Sequence, residues 1–218
     1  MNAKKLTVIG LVTFVVLIFY LGMNFYQSGV KDAQDVQVKA EQSRLVRMHS
    51  PVFGPQNASV TIVEFFDPAC ETCRAFYPIV KNLLAQYPNE VRLVLRYAPF
   101  HHGSDQVVKL LESAKSQGKY QAVLEAVLAA QPSWADHSQP NIDIAFQVAA
   151  RVGLDITKAR QDIENPSMQS LLQQDIDDLT ALQVTKTPTF FVNGRSLPSF
   201  GPDQLAALVA EEVAKAKK

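Results

Sequence analysis

The sequence predicts an α/β fold with an inserted helical subdomain, preceded by an N-terminal transmembrane helix. Three observations predict it. A β-branched and aromatic run at 60–66 is followed by a helical pattern and by an alternating strand at 91–97; strand, helix, strand at this length reads as a right-handed parallel crossover. From about 103 to 183 apolar residues recur at helical spacing. After residue 188 come a short strand, an Asn-Gly turn and a closing amphipathic helix.

Composition narrows the function classes. With 218 residues and 47% hydrophobic content, the chain suits one domain plus an appendage. Lys+Arg and Asp+Glu are both 21, so no net field draws nucleic acid, and no nucleic-acid motif is present. The two cysteines, Cys70 and Cys73, form one C-x-x-C. No pair is left for a structural disulfide, and two thiols at this spacing read as a redox pair or half of a metal site.

Met1–Lys5 is short and basic, and Leu6–Met23 is an uncharged run of 18 residues. A signal-peptide core is ~7–15 residues and ends in a small-x-small site, whereas a span needs ~20. Asn24-Phe25-Tyr26 follows instead of an A-x-A. Residues 1–26 therefore read as a cytoplasmic tip and an uncleaved signal anchor, with a cleaved signal as the alternative. Lys4 and Lys5 favour a cytoplasmic N-terminus, which places the rest of the chain outside the inner membrane. Residues 27–50 are polar with scattered Val30, Val36, Val38, Leu45 and Val46; they read as a stalk or linker. Pro51, Gly54 and Pro55 are breakers, so the folded domain is expected at 51–218.

Val60–Phe66 is nearly continuously apolar, as for a strand covered on both faces. Glu64 interrupts it. A carboxyl there costs free energy unless it is partnered or protonated; it faces an edge or water, or it is a buried acid with a task. Asp67-Pro68 breaks the strand, and the helical pattern starts at the C-E-T-C. The first N–H groups of a helix lack intrahelical partners and its dipole favours negative charge. A cysteine placed there ionises more readily, and the thiolate is the nucleophile. Cys70 is expected as the exposed attacking sulfur. Cys73, one turn on along the same face, is expected as the resolving one. The helix should reach about Tyr87, with Phe76, Ile79, Val80, Leu83 and Leu84 inward and a kink at Pro78.

Ala98–Gly103 reads as a loop, in which His101 and His102 are solvated residues or metal ligands. Ser104, Asn141 and Ser167 are candidate caps for three of the helices that follow, and Gln131-Pro132 stops another. These helical stripes read as core and are assigned no chemistry. Thr189–Val192 is a strand, Asn193-Gly194 signals a type I′ hairpin, and Pro202-Asp203 opens the last helix.

The stretch V-E-F-F-D-P-A-C-E-T-C, with Pro78 beyond it, and T-K-T-P-T-F-F-V-N-G-R at 185–195 together resemble a thioredoxin-fold active site. The helical insertion of about 80 residues between them resembles the DsbA-like branch of disulfide oxidoreductases. The resemblance covers roughly 50–215. It implies a thioredoxin fold, and a cis-proline at Pro188 facing the dithiol, where Thr187 and Pro188 hold an extended substrate chain. It also implies that Glu64 relays protons to and from Cys73. It further implies protein substrates with cysteines or disulfides, a membrane redox partner, no cofactor and no metal.

The chain departs from the strongly oxidising members, which carry Pro-His between the cysteines; here Glu71-Thr72 stands there. A carboxylate beside Cys70 should oppose thiolate formation, so Glu71 and Thr72 are expected to make a weaker oxidant. Threonine before the cis-proline resembles the isomerase and reductase members. The expected function is therefore thiol–disulfide exchange on envelope proteins, at moderate redox potential, as a reductase, isomerase or weak oxidase. The catalytic domain would lie in the periplasm, anchored in the inner membrane through residues 6–23. Two alternatives differ in class: copper handling with Cys70 and Cys73 as soft thiolate ligands, and a noncatalytic holder of client peptides.

Overall fold

β2 (Val60–Phe66) is the strand around which the others assemble. The computed structural model describes residues 11–26, Gly29 and 42–217. Five strands form one sheet in the order β1-β3-β2-β4-β5: β1 (Val52–Phe53), β3 (Val91–Tyr97), β2, β4 (Thr189–Val192) and β5 (Arg195–Ser196). β2 and β3 are parallel, with Glu64 opposite Leu95. β4 runs antiparallel to β2, with Glu64 opposite Phe190. The crossover from β2 to β3 is α1 (Glu71–Gln86), whose helix continues through Pro78.

Alternation along β2 explains its unbroken apolar run. Val60, Ile62 and Phe66 pack into the core shared with α1. Val63 and Phe65 pack on the opposite side with Val94, Leu179, Leu182 and Phe191. Both faces are covered, so neither can be polar. Side chains two apart share a face, which puts Glu64 on the α1 side.

The insert comprises α2 (Ser104–Ser116), α3 (Tyr120–Ala129), α4 (Gln131–Trp134), α5 (Ile142–Arg151), α6 (Ile156–Ile163) and α7 (Pro166–Ala181). Its stripes do not form a separate core. Val107, Leu111, Leu124, Trp134, Phe146 and Leu172 join the same cluster as Phe76 and Val80 of α1. α8 (Pro202–Ala216) buries Leu205, Leu208, Val209 and Val213. The Asn193-Gly194 turn joins β4 to β5 with φ of 49° and 77°, both positive as a type I′ turn requires.

Several local expectations change. Ser104 is the first residue of α2 rather than its cap; Gly103, in the left-handed region, occupies that position. α7 is capped by Asn165, whose side chain accepts from the Ser167 amide, so Ser167 is not the cap. Asn141 stands at the α5 cap position without a side-chain bond. α3 does end at Ala129, just before Gln131-Pro132 as expected, but that pair also opens the short α4.

The folded unit also starts earlier than residue 51. Leu45 is 3% exposed in the second core cluster. Arg44 and Arg47 reach Asp178, and His49 lies 2.7 Å from Asp175. These carboxylates stand beside fully buried Arg96, so the segment just before 51 completes a charge cluster instead of serving as a stalk. The stalk expectation for 30–41 falls outside the described residues. Residues 11–26 are helical, with Leu11, Phe14, Phe19 and Tyr26 exposed. Residues 6–10 of the apolar run lie outside the described residues. Among the described residues no helix is long and apolar enough to cross a membrane.

Candidate active site

The site sits where β2 ends and α1 begins. Asp67, fully buried, organises the turn between them. Its Oδ1 accepts from the Ala69 amide at 2.8 Å and the Ser104 hydroxyl at 2.5 Å. Its Oδ2 accepts from the Phe100 and His101 amides at 2.8 and 3.0 Å and lies 2.7 Å from His101 Nδ1. One carboxylate thus fastens the cysteine turn to the β3–α2 loop. Gln131 holds the turn from the insert: its Nε2 donates to the carbonyls of Pro68 at 2.8 Å and Cys70 at 3.0 Å.

Cys70 occupies the N-cap of α1, and its sulfur accepts from the Cys73 amide at 3.4 Å. Both cysteines are in the dithiol form. The Thr187–Pro188 peptide is cis, and the Thr187 carbonyl lies 3.4 Å from the Cys70 sulfur. The two halves of the expected constellation, 117 residues apart in sequence, therefore meet. One expectation is corrected: Cys70 is only 5% exposed, and Cys73 is fully buried. Beside Pro188 a groove of about 540 Å³ is lined by Lys186, Phe190, Leu197 and Phe200 among others. Phe200 is half exposed and packs on Phe76 at 5.0 Å between ring centroids.

A family model described as thioredoxin matches residues 47–211. The chain belongs to the thioredoxin family. A thioredoxin-like oxidoreductase from Silicibacter pomeroyi is 29% identical, with a TM-score of 0.66 over 78% of this chain and 94% of that one. Two more distant structures share the fold. Oxidised BdbD from Bacillus subtilis has a TM-score of 0.67 at 19% identity, over 76% and 94% of the two chains. The thiol-disulfide exchange protein α-DsbA2 of Wolbachia pipientis has 0.70 at 16% identity, over 84% and 97%. Among curated proteins, the Na(+)/H(+) antiporter NhaA 3 of Salinispora tropica is 34% identical over 73% of this chain but only 24% of its own length. NhaA of Herminiimonas arsenicoxydans is 29% identical over 66% of this chain and 22% of its own. The chain spans about a quarter of these antiporters, and the matched 162 residues are the size of a thioredoxin domain. Ion transport is not carried over.

The charges of this thioredoxin-family site are divided between its two sulfurs. Cys70 is lowered to about 5. The Cys73 side chain donating to it is the largest cause and outweighs burial; Thr187 and the amides of Cys73 and Thr72 add to the effect. These are the free N–H groups of a helix start. Cys73 is pushed far upward by burial, by its bond to Cys70 and by the charges of Glu64 and Cys70. Glu64 is 2% exposed, and its Oε1 has no hydrogen-bond partner. Burial, with the Cys70 charge, raises it to about 8. Glu64 does not face a sheet edge: it sits on the central strand, opposite Leu95 on β3 and Phe190 on β4.

The structure also gives Glu71 a partner. Its carboxylate lies 2.9 Å from His137 Nε2, and hydrogen bonding to its own backbone and to His137 holds it below its ordinary value. A partner in the insert engages the charge that was expected to repel the thiolate. Thr72 contributes only through its backbone. His101 is not a free loop residue but is bound to Asp67. His102 is exposed. Among the described residues no group of three or more His, Cys, Asp or Glu is placed to hold a metal ion. Sequence reasoning missed Asp67, Gln131 and His137. The only cue was the position of Asp67 between strand and dithiol; the partners of all three are distant in sequence.

Proposed function

We propose that this thioredoxin-like disulfide oxidoreductase acts on cysteine-containing envelope proteins at a redox potential between those of thioredoxin and DsbA. The observation that carries this reading is the place of the Cys70 sulfur, at the N-cap of α1 where it accepts from the Cys73 amide and meets the cis Thr187–Pro188 peptide, a setting that lowers the thiol to about 5. That lies between the ~7 of thioredoxin and the ~3.5 of DsbA. A stabilised thiolate favours the reduced form and makes the disulfide more oxidising.

In the oxidising direction a substrate thiolate attacks the Cys70 sulfur of the disulfide. A mixed disulfide forms, and Cys73 leaves as a thiolate that takes the Glu64 proton. A second substrate thiolate attacks the substrate sulfur of the mixed disulfide, and Cys70 leaves as the stabilised thiolate. In the reducing direction the Cys70 thiolate attacks a substrate disulfide. Glu64 then takes the Cys73 proton as Cys73 resolves the intermediate. The Thr187–Pro188 edge offers backbone to an extended substrate, as in strand addition. In this reading residues 6–23 anchor the chain in the inner membrane with its catalytic domain in the periplasm, where a membrane redox partner resets the dithiol.

Equilibrating the full chain in detergent with glutathione buffers tests the chemistry. A two-electron transition between ~−270 and ~−120 mV is expected. A potential at either extreme refutes the intermediate assignment, and absence of a Cys70–Cys73 transition refutes the reading altogether. Carbonate extraction of cell membranes tests the anchor: the full chain should stay in the pellet, and a chain beginning after Tyr26 should not.

A further inference from the structure

The groove beside Pro188 has one wall that does not come from the thioredoxin fold. Tyr26, at the end of the N-terminal helix 11–26, lines it together with Lys186, Pro188, Phe190, Leu197 and Phe200. The match to the thioredoxin model starts only at residue 47, so Tyr26 stands well before it. The groove is continuous with the dithiol. Pro188 follows Thr187, whose carbonyl lies 3.4 Å from the Cys70 sulfur. Phe190 and Phe200 both pack on Phe76 of α1, with centroids 5.3 and 5.0 Å away. Tyr26 is a wall of this groove and not a plug: it stays 71% exposed, and about 540 Å³ remains open beside it. Phe200 is half exposed as well. Two aromatic rings thus stand largely in solvent at a cleft that leads to the reactive sulfur.

We infer that Tyr26 is a specificity-determining residue for the exchange reaction, receiving a large apolar side chain of an extended client close to the client cysteine that meets Cys70. This deepens the proposed function and rests on it. Aromatic rings give a large contact area for little lost conformational freedom, and tyrosine recurs where one side of a contact stays wet. Of the described residues that line the groove only Lys186 is charged, so a neutral, apolar segment fits it and a basic one is opposed. The Tyr26 contact is the same before and during sulfur exchange. It therefore sets client affinity and leaves the chemical step alone. In this way a residue outside the matched thioredoxin region completes the client site.

The test uses the full chain in detergent with dithiothreitol as reductant and two synthetic peptides. Each peptide is a symmetric disulfide-linked dimer with one cysteine per strand, one carrying Phe and the other Lys two positions before the cysteine. The unaltered protein should reduce the Phe peptide at the lower KM. Tyr26→Ser should raise that KM on the order of fivefold at unchanged kcat and leave the Lys peptide as it was. Tyr26→Phe should keep the parent KM. Tyr20→Ser, on the same helix but not lining the groove, should change nothing. An unchanged KM for the Phe peptide in Tyr26→Ser overturns the inference, and so does a lower one, which would make Tyr26 an obstruction. A shifted Cys70 midpoint in thiolate absorbance also overturns it, because Tyr26 would then act on the sulfur and not on the client. Failure of the unaltered protein to reduce either peptide overturns the exchange reading beneath it. Tyr26 is largely exposed, so its replacement leaves the core intact.

Discussion

The Thr187 carbonyl lies 3.4 Å from the Cys70 sulfur, so the loop that carries the cis-proline also touches the reactive sulfur. The Thr187 side chain adds to the lowering of Cys70. Thr187→Val removes the hydroxyl and leaves the backbone contact. The Cys70 pKa should then rise from about 5 by about one unit, and exchange with a model disulfide at acidic pH should slow accordingly. Thiolate absorbance against pH measures the first. An unmoved midpoint would show that the hydroxyl has no part in it.

Glu64 ties the chemistry to stability. Its folded value is raised to about 8, against ~4.3 when unfolded. The folded protein keeps a proton that the unfolded chain releases between these values, so stability falls as pH rises from about 4 to 8. At ~1.36 kcal/mol per unit the loss is on the order of 5 kcal/mol once Glu64 ionises. Glu64→Gln should abolish this slope, making the variant more stable than the parent at pH 8 but not at pH 4. It should also slow release of Cys73, which loses its proton donor. Urea unfolding at both pH values decides the first point, and parallel pH profiles for parent and variant would refute it.

The fold and the two ends of the site were legible because each is written locally. The unbroken apolar run of β2, the cysteine pair opening α1, and Pro188 before β4 need no knowledge of distant residues. What was not legible depends on partners brought together by folding. Arg96 reads as an outward residue of an alternating strand, yet it is fully buried because α7 supplies Asp175 and Asp178 on that face. Gln131 reads as a helix stop for the same reason, and nothing local singles out His137. Glu71 was read against its sequence neighbour Cys70, and its contact with His137, 66 positions away, could not be seen from there.

The Arg96 cluster yields a stability prediction. Arg96 Nη2 donates to Asp175 at 2.7 Å and Asp178 at 2.8 Å, and Asp178 also takes Arg44 and Arg47. Asp178→Ala leaves a buried guanidinium with one of its two carboxylates and removes the Asp178 contacts of Arg44 and Arg47. It should destabilise by about 3–5 kcal/mol and open the chain near Arg47 to trypsin. Although burial opposes it, the bonds from Arg47, Arg96 and Arg44 hold Asp178 down to about 2. Its contribution is therefore complete above ~3.9, the unfolded value, and fades as pH falls toward 2. Urea unfolding of Asp178→Ala and a trypsin time course check both. Parent-like stability would show the cluster to be dispensable.

Gln131 holds the cysteine turn without touching the sulfur. It is 1% exposed, and its two bonds to the carbonyls of Pro68 and Cys70 run from the insert to the turn. Gln131→Leu keeps the bulk and withdraws the donor, leaving two buried acceptors short of a partner at a cost of about 1–3 kcal/mol. The Cys70 carbonyl keeps the Arg74 amide at 3.1 Å, so α1 should start where it does now. The Pro68 end of the turn loses its tie to the insert. The variant should therefore fold with lower stability and exchange disulfides more slowly, while the thiolate, supported by the α1 amides and Thr187, keeps its low pKa. A shifted Cys70 pKa in Gln131→Leu would mean that the insert tunes the sulfur itself rather than the turn that carries it.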